Sequence, residues 1–314
     1  MSRLRRGGKL AGMRAAGAED EVRAAVFAWL DLQTATYGDR IPWKVLQSFE
    51  YGGQRVALIT QRGIRWLSGR SALTFTTTYS SDPSRAPYAD HVGTDGLPRY
   101  KYQGTDPSRA DNVSMKHAER LGLPVVWFVG TDEGVYSAQY PVYVIGHDDA
   151  TLDFTVAVDA EQRALVGDDR LDPDAKRRYA ERLTRQRLHQ PIFRSRVLRA
   201  YELRCSICRL GHLPLLDAAH IRSDAVGGEP VVTNGMAMCK IHHAAYDQHM
   251  LSVSPEYRVA VAPAVLREQD GPMLLHGLQE MHESPITLPR RTAERPDREL
   301  LLERHTTFLE RASA

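Results

Sequence analysis

Between residues 19 and 35 the apolar side chains Val22, Ala25, Val26, Trp29, Leu30 and Leu32 recur at three- and four-residue steps, which predicts a helix with one apolar face. From Pro42 to about Val158 the texture changes. Short runs rich in β-branched and aromatic residues, at 55–60, 72–79, 125–129, 141–145 and 152–158, are set apart by Gly, Asp and Pro. One helical stretch, 111–121, interrupts them and is ended by Gly122 and Pro124. This pattern predicts a compact, mostly β domain at 19–158 with one or two helices. Residues 159–173 are acidic and loop-like, the best place for a domain boundary. A basic helix follows from Pro173 to His189, Pro191 breaks it, and a second helix runs to about Leu203. A module rich in Cys and His occupies 205–262, and a last helix, 297–311, follows the loop 289–296. No internal repeat is present.

The chain has 314 residues, enough for roughly two domains. Its 42% apolar and 25% charged residues exclude wholesale disorder and fibrous classes. The longest purely apolar run, 125–129, is far short of the ~20 residues of a membrane helix, so no membrane partner is expected. The basic, Gly-rich residues 1–18 read as a disordered tail, and no apolar segment of secretory type follows them. Three cysteines cannot close a disulfide framework, which points to a reducing compartment and a cytoplasmic protein. Net charge is only +2, but it is unevenly spread. Residues 176–204 carry ten Lys or Arg, among them Arg177, Arg178, Arg182 and Arg185, against Glu181 and Glu202. Such a run is either a solvated helix face or a surface for backbone phosphates.

All three cysteines fall within one segment. Cys205-Ser-Ile-Cys208 is followed by Asp217-Ala-Ala-His220, Asn234-Gly235 and Cys239-Lys-Ile-His242-His243-Ala-Ala-Tyr246-Asp247. Cys-x2-Cys and Cys-x2-His each place two ligands on a tight turn, and together they supply three thiolates and an imidazole to one tetrahedral ion. Cys205, Cys208, Cys239 and His242 are therefore expected to hold a structural Zn2+.

A second chemistry is superimposed. Phosphodiester hydrolysis needs a base to activate water and a cation to stabilise charge on the phosphate. The order His220, Asn234, His243 resembles the HNH (ββα-metal) endonuclease motif, over about residues 205–247. The resemblance implies a β-hairpin followed by a helix. It gives His220 the role of general base, Asn234 that of shaping the loop and orienting His220, and His243 that of binding a catalytic divalent cation, Mg2+ or Mn2+. Asp247, at i+4 from His243, is a second ligand or a helix-surface carboxylate. Many family members carry Asp or His immediately before the base; here Ala219 stands there. Asp217 is a substitute, but its odd offset from His220 points it to the opposite strand face. His212 and His249 have no part in the pattern.

The stretch Tyr102-Gln-Gly-Thr-Asp106, Asp111-Asn112 and Gly122-Leu-Pro124-Val-Val-Trp127, then Gly134-Val-Tyr136 and Tyr140-Pro-Val-Tyr-Val144, resembles the SRA domain, a β-rich fold that binds modified cytosine. The resemblance implies a pocket for an extruded base, with aromatic faces for stacking and a carboxylate for the cytosine amine. Tyr79, Asp82 and Tyr102 fit the order of that pocket; Tyr88, Asp90 and Tyr100 lie close by, and half-buried sheet aromatics are the plainer alternative. The polar loop between Asp82 and Arg99 is a candidate to enter a DNA groove.

The expectation is an α+β chain: a disordered basic tail (1–18), a β-rich SRA-like modified-DNA-binding domain (19–158), a helical basic linker (159–204) and a zinc-containing HNH nuclease domain (205–314). The function this implies is a modification-dependent endonuclease of restriction defence, acting on double-stranded, methylated DNA. One HNH site cuts one strand, so a double-strand break calls for a homodimer or two binding events. The alternatives are an HNH nuclease whose reader is indifferent to methylation, and a non-catalytic zinc-containing DNA-binding module.

Overall fold

The computed structural model describes residues 16–67, 70–80, 92–168 and 172–313. They form two compact units that divide between Ile192 and Phe193.

The first unit is a sheet covered on both faces. Its strands run in the order Ile64–Trp66, Ala72–Thr77, Val125–Asp132, Val135–Asp148, Asp153–Ala157, Arg99–Lys101, and the short Ile41–Pro42 also pairs with the long Val135–Asp148. Only Ala72–Thr77 and Val125–Asp132 are parallel among the described pairs. The run at 125–129 is wholly apolar because both its faces are buried. Val125, Trp127 and Val129 pack with Phe75, Phe154, Met115 and Leu183 on one side. Val126 and Phe128 turn to the other, against Val22, Val26 and Leu30 of the helix Ala16–Tyr37. Arg23 of that helix is also buried, and its guanidinium donates to the Pro124 carbonyl (2.7 Å) and the Ala72 carbonyl (2.8 Å). The helix Ala110–Leu121 stops at Gly122, which takes the left-handed conformation (φ 63°) that glycine tolerates best. No helix among the described residues is long and apolar enough to cross a membrane.

Three expectations differ from the structure. Of the run 55–60, only Arg55 joins a ladder, in the pair Gln54–Arg55 with Glu50–Tyr51. Val56, Leu58 and Ile59 are all buried, so the run does not keep a strand's alternation. Next, the segment 159–192 is part of the first unit. Gln162 is fully buried, where it donates to the Ala180 carbonyl (2.9 Å) and the Thr184 hydroxyl (3.0 Å), while Leu183 and Leu188 enter the core around Phe154. Finally, Pro191 does not separate two helices. It is the second residue of the helix Gln190–Ala200, preceded by the π-type turn Arg185–His189. Proline lacks a donor and crowds the preceding turn, and a wider π turn relieves that conflict.

The second unit is built on the hairpin Leu216–His220 and Gly235–Cys239, with His220 opposite Gly235 and Leu216 opposite Cys239. Every residue of Gly235–Cys239 is buried. Phe193, Val197 and Tyr201 pack on this hairpin, with Tyr246 of the helix Lys240–Asp247 and Leu301 and Phe308 of the helix Arg298–Ser313 in the same core. A second hairpin, Leu251–Val253 with Val259–Val261, completes it.

Candidate functional site

The Cys and His side chains of the two x2 motifs meet. Cys205, Cys208, Cys239 and His242 present ligand atoms within 4.8 Å of one another, the only such group of three or more among the described residues. The first pair sits on a turn closed by Cys205 N–H to the Leu210 carbonyl (2.9 Å), with Arg209 left-handed at φ 64°. The second pair opens the helix Lys240–Asp247, for which Cys239 is the N-cap residue. Two sulfurs on a tetrahedral zinc stand about 3.8 Å apart, and a sulfur and a nitrogen about 3.5 Å. Cys208 and Cys239 are 4.0 Å apart, and His242 Nδ1 lies 3.5 Å from Cys205 Sγ and 3.1 Å from Cys239 Sγ. His242 Nε2 donates to the Gly277 carbonyl at 2.8 Å, which fixes the tautomer and leaves the Nδ1 lone pair facing the sulfurs. The donor set and its spacing fit a structural zinc ion.

His220 ends its strand and is half-buried. Its ring stacks on Phe193, with centroids 4.0 Å apart and planes 16° apart. Gly235, across the hairpin, leaves the room that makes this possible: a Cβ there would stand 2.7 Å from Phe193 Cζ and 2.6 Å from Val197 Cγ2. Burial pushes the His220 imidazole below the ordinary histidine range, and the charges that act on it are Asp224, His243 and Asp247. It is therefore neutral near pH 7, as a base must be.

Asn234 is buried and closes the loop that leaves His220. Its Oδ1 accepts from Arg222 N–H (2.8 Å), and its Nδ2 donates to the carbonyls of Arg222 (3.1 Å) and Glu229 (2.9 Å). The Ile221 N–H donates to the Asn234 carbonyl (3.0 Å). Gly228 lies where a Cβ would collide with the Arg222 carbonyl, so the loop is tight at that point.

His243 lies between two carboxylates. Its Nε2 is 3.4 Å from Asp247 Oδ2 and its Nδ1 is 3.7 Å from Asp217 Oδ2. Contact with Asp217, more than any other cause, raises the His243 pKa. Two ligands on one divalent ion at ~2.1 Å stand about 3.0–3.5 Å apart, so His243 Nε2 and Asp247 can share an ion. Asp217 is held well below the usual carboxylate range by His243, then by Lys240 and Arg194. Ala219 is fully buried.

In the first unit, Tyr102 is buried. Its ring packs on Phe154 (centroids 4.4 Å apart) and its hydroxyl donates to Asp149 at 2.7 Å. Tyr79 is half-buried beyond the end of the strand Ala72–Thr77, where Gly130 lets the neighbouring backbone pass close. Asp82, Tyr88 and Asp90 lie outside the described residues. Tyr100 is buried, with its hydroxyl donating to the Thr76 carbonyl (3.2 Å). Arg177, Arg178, Arg182 and Arg185 are all exposed; Arg177 pairs with Glu181 (3.0 Å) and Arg182 lies over the Tyr179 ring.

Sequence reasoning misses Phe193, the Gly277 carbonyl and Arg304, whose guanidinium is 3.9 Å from Asp247. It also misses a cleft of about 620 Å³ in the first unit, lined by Trp43, Gln47, Arg62, Arg65 and Trp66. None of these carries a spacing signature; each is placed by tertiary contacts alone.

The HNH endonuclease family profile matches residues 205–254. This segment is an HNH endonuclease domain, the catalytic unit of a metal-dependent DNA endonuclease. No curated protein matches the chain. Among solved structures, the chain is similar to one described as the modification-dependent TagI restriction endonuclease, at 16% identity and a TM-score of 0.28, over 79% of this chain and 85% of that one. It is also similar to one described as the Type IV phosphorothioation-dependent restriction endonuclease ScoMcrA, at 18% identity and a TM-score of 0.24, over 58% of this chain and 51% of that one. The chain thus spans about half the length of the second.

Proposed function

We propose that this chain is a modification-dependent DNA endonuclease. Its first unit binds double-stranded DNA containing 5-methylcytosine, and its HNH domain hydrolyses a phosphodiester bond. One observation carries the nuclease half: His220 and Asn234 on a hairpin and His243 on the next helix lie within the segment that matches the HNH profile. His220, neutral through burial, takes the proton of the attacking water. Phe193 fixes the plane of its ring, and Asn234 fixes the backbone that follows it. His243 and Asp247 hold the divalent cation, Mg2+ or Mn2+, which when bound supplies charge stabilisation at the phosphate and leaving oxygen. The Cys3His cluster holds structural Zn2+ and ties the turn at 205–208 to the start of the helix that carries His243.

The reader half rests on the SRA-type pattern at 102–144. An extruded base needs a stacking face and a carboxylate, roles we assign to Tyr79 and Asp82 with Tyr102. Of the two tyrosines, Tyr79 offers the more open face; the ring and hydroxyl of Tyr102 are engaged by Phe154 and Asp149. The exposed Arg177, Arg178, Arg182 and Arg185 contact backbone phosphates, so binding weakens steeply with salt. A double-strand break requires two copies of the chain or two binding events. The setting is restriction defence in the cytoplasm.

The test is cleavage of one plasmid in two forms, with 5-methylcytosine and without, in Mg2+ or Mn2+, with His220→Ala as control. Cutting confined to the methylated form and lost in the control is expected. Equal cutting of both forms would keep the nuclease and discard the reader. Cutting that survives His220→Ala would overturn the assignment of the base. No cutting of either form, with DNA still bound, would leave a non-catalytic DNA-binding module.

A further inference from the structure

Asp217 sits against the proposed metal ligand His243, but the groups around it differ from those around Asp247. Arg194 Nε lies 3.2 Å from its Oδ1, and Lys240 Nζ lies 3.2 Å from its Oδ2. Two permanent cations thus occupy both its oxygens, and a divalent ion brought to the same carboxylate would meet their repulsion. Asp247 faces Arg304 at the longer distance of 3.9 Å and is half open to solvent. The two carboxylates also address different nitrogens of His243, Asp217 the Nδ1 and Asp247 the Nε2. Strand alternation places Asp217 and His220 on opposite faces of the strand Leu216–His220. The charges acting on His220 include Asp247 and His243.

We propose that Asp217 is a positioning residue: its carboxylate, with Oδ2 3.7 Å from His243 Nδ1, draws the ring proton to that nitrogen, favours one tautomer and ring plane, and so presents Nε2 with Asp247 to the catalytic cation. Arg194 and Lys240 hold Asp217 itself in place. A carboxylate behind a ligating imidazole is the general means of setting which nitrogen binds the metal and how strongly. Asp217 therefore does not stand in for the carboxylate or imidazole displaced by Ala219. With His243 and Asp247 as its protein ligands, a bound cation would have positions left for water and the phosphate, which suits a catalytic site better than a closed one. This inference rests on the HNH reading of His243 as a metal ligand.

The experiment uses the full zinc-loaded chain and Mn2+ as probe. Calorimetric titration gives the Mn2+ affinity of wild type, Asp217→Asn and His243→Ala, and two-dimensional 1H–15N spectra of the histidine rings give the tautomer of His243. Asn keeps the shape and an amide oxygen for the partly buried Arg194, but gives up the acceptor for the exposed Lys240 and no longer offers a carboxylate to Nδ1–H. Asp217→Asn is expected to weaken Mn2+ binding 10- to 100-fold, to lose the Nδ1–H tautomer preference, and to recover cleavage as Mn2+ is raised. Zinc content and Tm should stay as in wild type. Full Mn2+ affinity in Asp217→Asn, beside its loss in His243→Ala, would overturn the role of Asp217 and leave the site assignment standing. Unchanged Mn2+ binding in His243→Ala, or none in wild type, would overturn the reading of His243 and this proposal with it. A cleavage loss in Asp217→Asn that saturating Mn2+ does not restore, with the Nδ1–H tautomer retained, would also overturn it.

Discussion

A sharp structural demand in the nuclease unit falls on Gly235, the hairpin partner of His220. Its missing Cβ is replaced in space by Val197 Cγ2 at 2.6 Å and Phe193 Cζ at 2.7 Å. Carbon atoms rest at about 3.5–4.0 Å, so Gly235→Ala must drive Phe193 back by about 1 Å. Phe193 is 2% exposed and packs within the core of the unit, so its ring cannot swing into solvent. Overpacking of this kind costs about 1–3 kcal/mol. At roughly 4 °C per kcal/mol, the unit should melt about 4–12 °C lower. The displacement also reaches the chemistry, because the Phe193 ring lies 4.0 Å from the His220 ring and nearly parallel to it. A shift of about 1 Å in a catalytic group costs on the order of 100-fold in rate. Thermal melting and single-turnover cleavage at saturating Mn2+ measure the two effects separately. Gly271→Ala is the control: its φ is −64° and no atom lies within 4 Å of its Cβ position. It should change stability by less than about 0.5 kcal/mol and leave the rate alone. The double variant Gly235→Ala/Phe193→Leu should regain stability by removing the ring edge, yet not regain rate, because the stack is gone. Wild-type melting and cutting in Gly235→Ala would refute the argument that this glycine makes room for the ring that holds His220.

Cys239→Ser, or removal of zinc by a chelator, should unfold the second unit while the first still melts on its own, because a structural zinc supplies folding free energy of order 10 kcal/mol; calorimetry on the full chain and zinc stoichiometry check this, and an unmoved second transition would sink the zinc assignment. Gln162→Leu should destabilise the first unit by about 1–3 kcal/mol, since it strands the Val158 N–H in the core and removes the donor to the Ala180 carbonyl and the Thr184 hydroxyl; urea denaturation reads the loss. At saturating Mn2+, where the bound cation keeps His243 deprotonated, the pH profile of kcat/KM should keep its acid limb below the ordinary histidine value of about 6.5, because burial holds His220 neutral and protonation of the base then stops the reaction. The contribution of His220 to stability has the same sign: between the unfolded histidine pKa and its depressed folded one, the unfolded chain binds the extra proton, so this contribution falls as pH falls through that window, and His220→Gln should remove it. An acid limb above about 6.5 would remove His220 from the role of base.

What could be read from the sequence divides along a physical line. The ligands Cys205, Cys208, Cys239 and His242 were legible because each pair is joined by two residues of chain, and a turn that short leaves the side chains little freedom to part. The helices at 16–37 and 110–121 were legible because their apolar period is itself the packing instruction. The segment 55–60 failed for the converse reason. Its residues satisfy a core from Val56, Leu58 and Ile59 together, which no strand period describes, and its backbone bonds singly to Phe49 and Leu46. The linker failed because acidity at 159–173 reads as a surface loop, whereas Ala160–Val166 is a helix capped by the Asp159 side chain; Gln162 and Leu183 tie the segment to the first unit and are polar and apolar without pattern.

The site shows the same division within a few ångströms. Spacing finds the groups to which we assign the chemistry and misses those that pack around them. Phe193 is 27 residues from His220 and nothing in the chain between announces the stack. Gly235, by contrast, adjoins Asn234, so one dipeptide serves two ends: the amide locks the loop after His220, and the glycine admits the ring beside it. A base on a strand end has two loose directions, the tilt of its ring and the path of the chain beyond it. The ring stack removes the first and the Asn234 hydrogen bonds remove the second. Both constraints act on His220 in the folded chain, so in the role of base that we propose for it the cost of ordering the ring is met in folding and not at the moment of reaction, which is what preorganisation of a catalytic group requires.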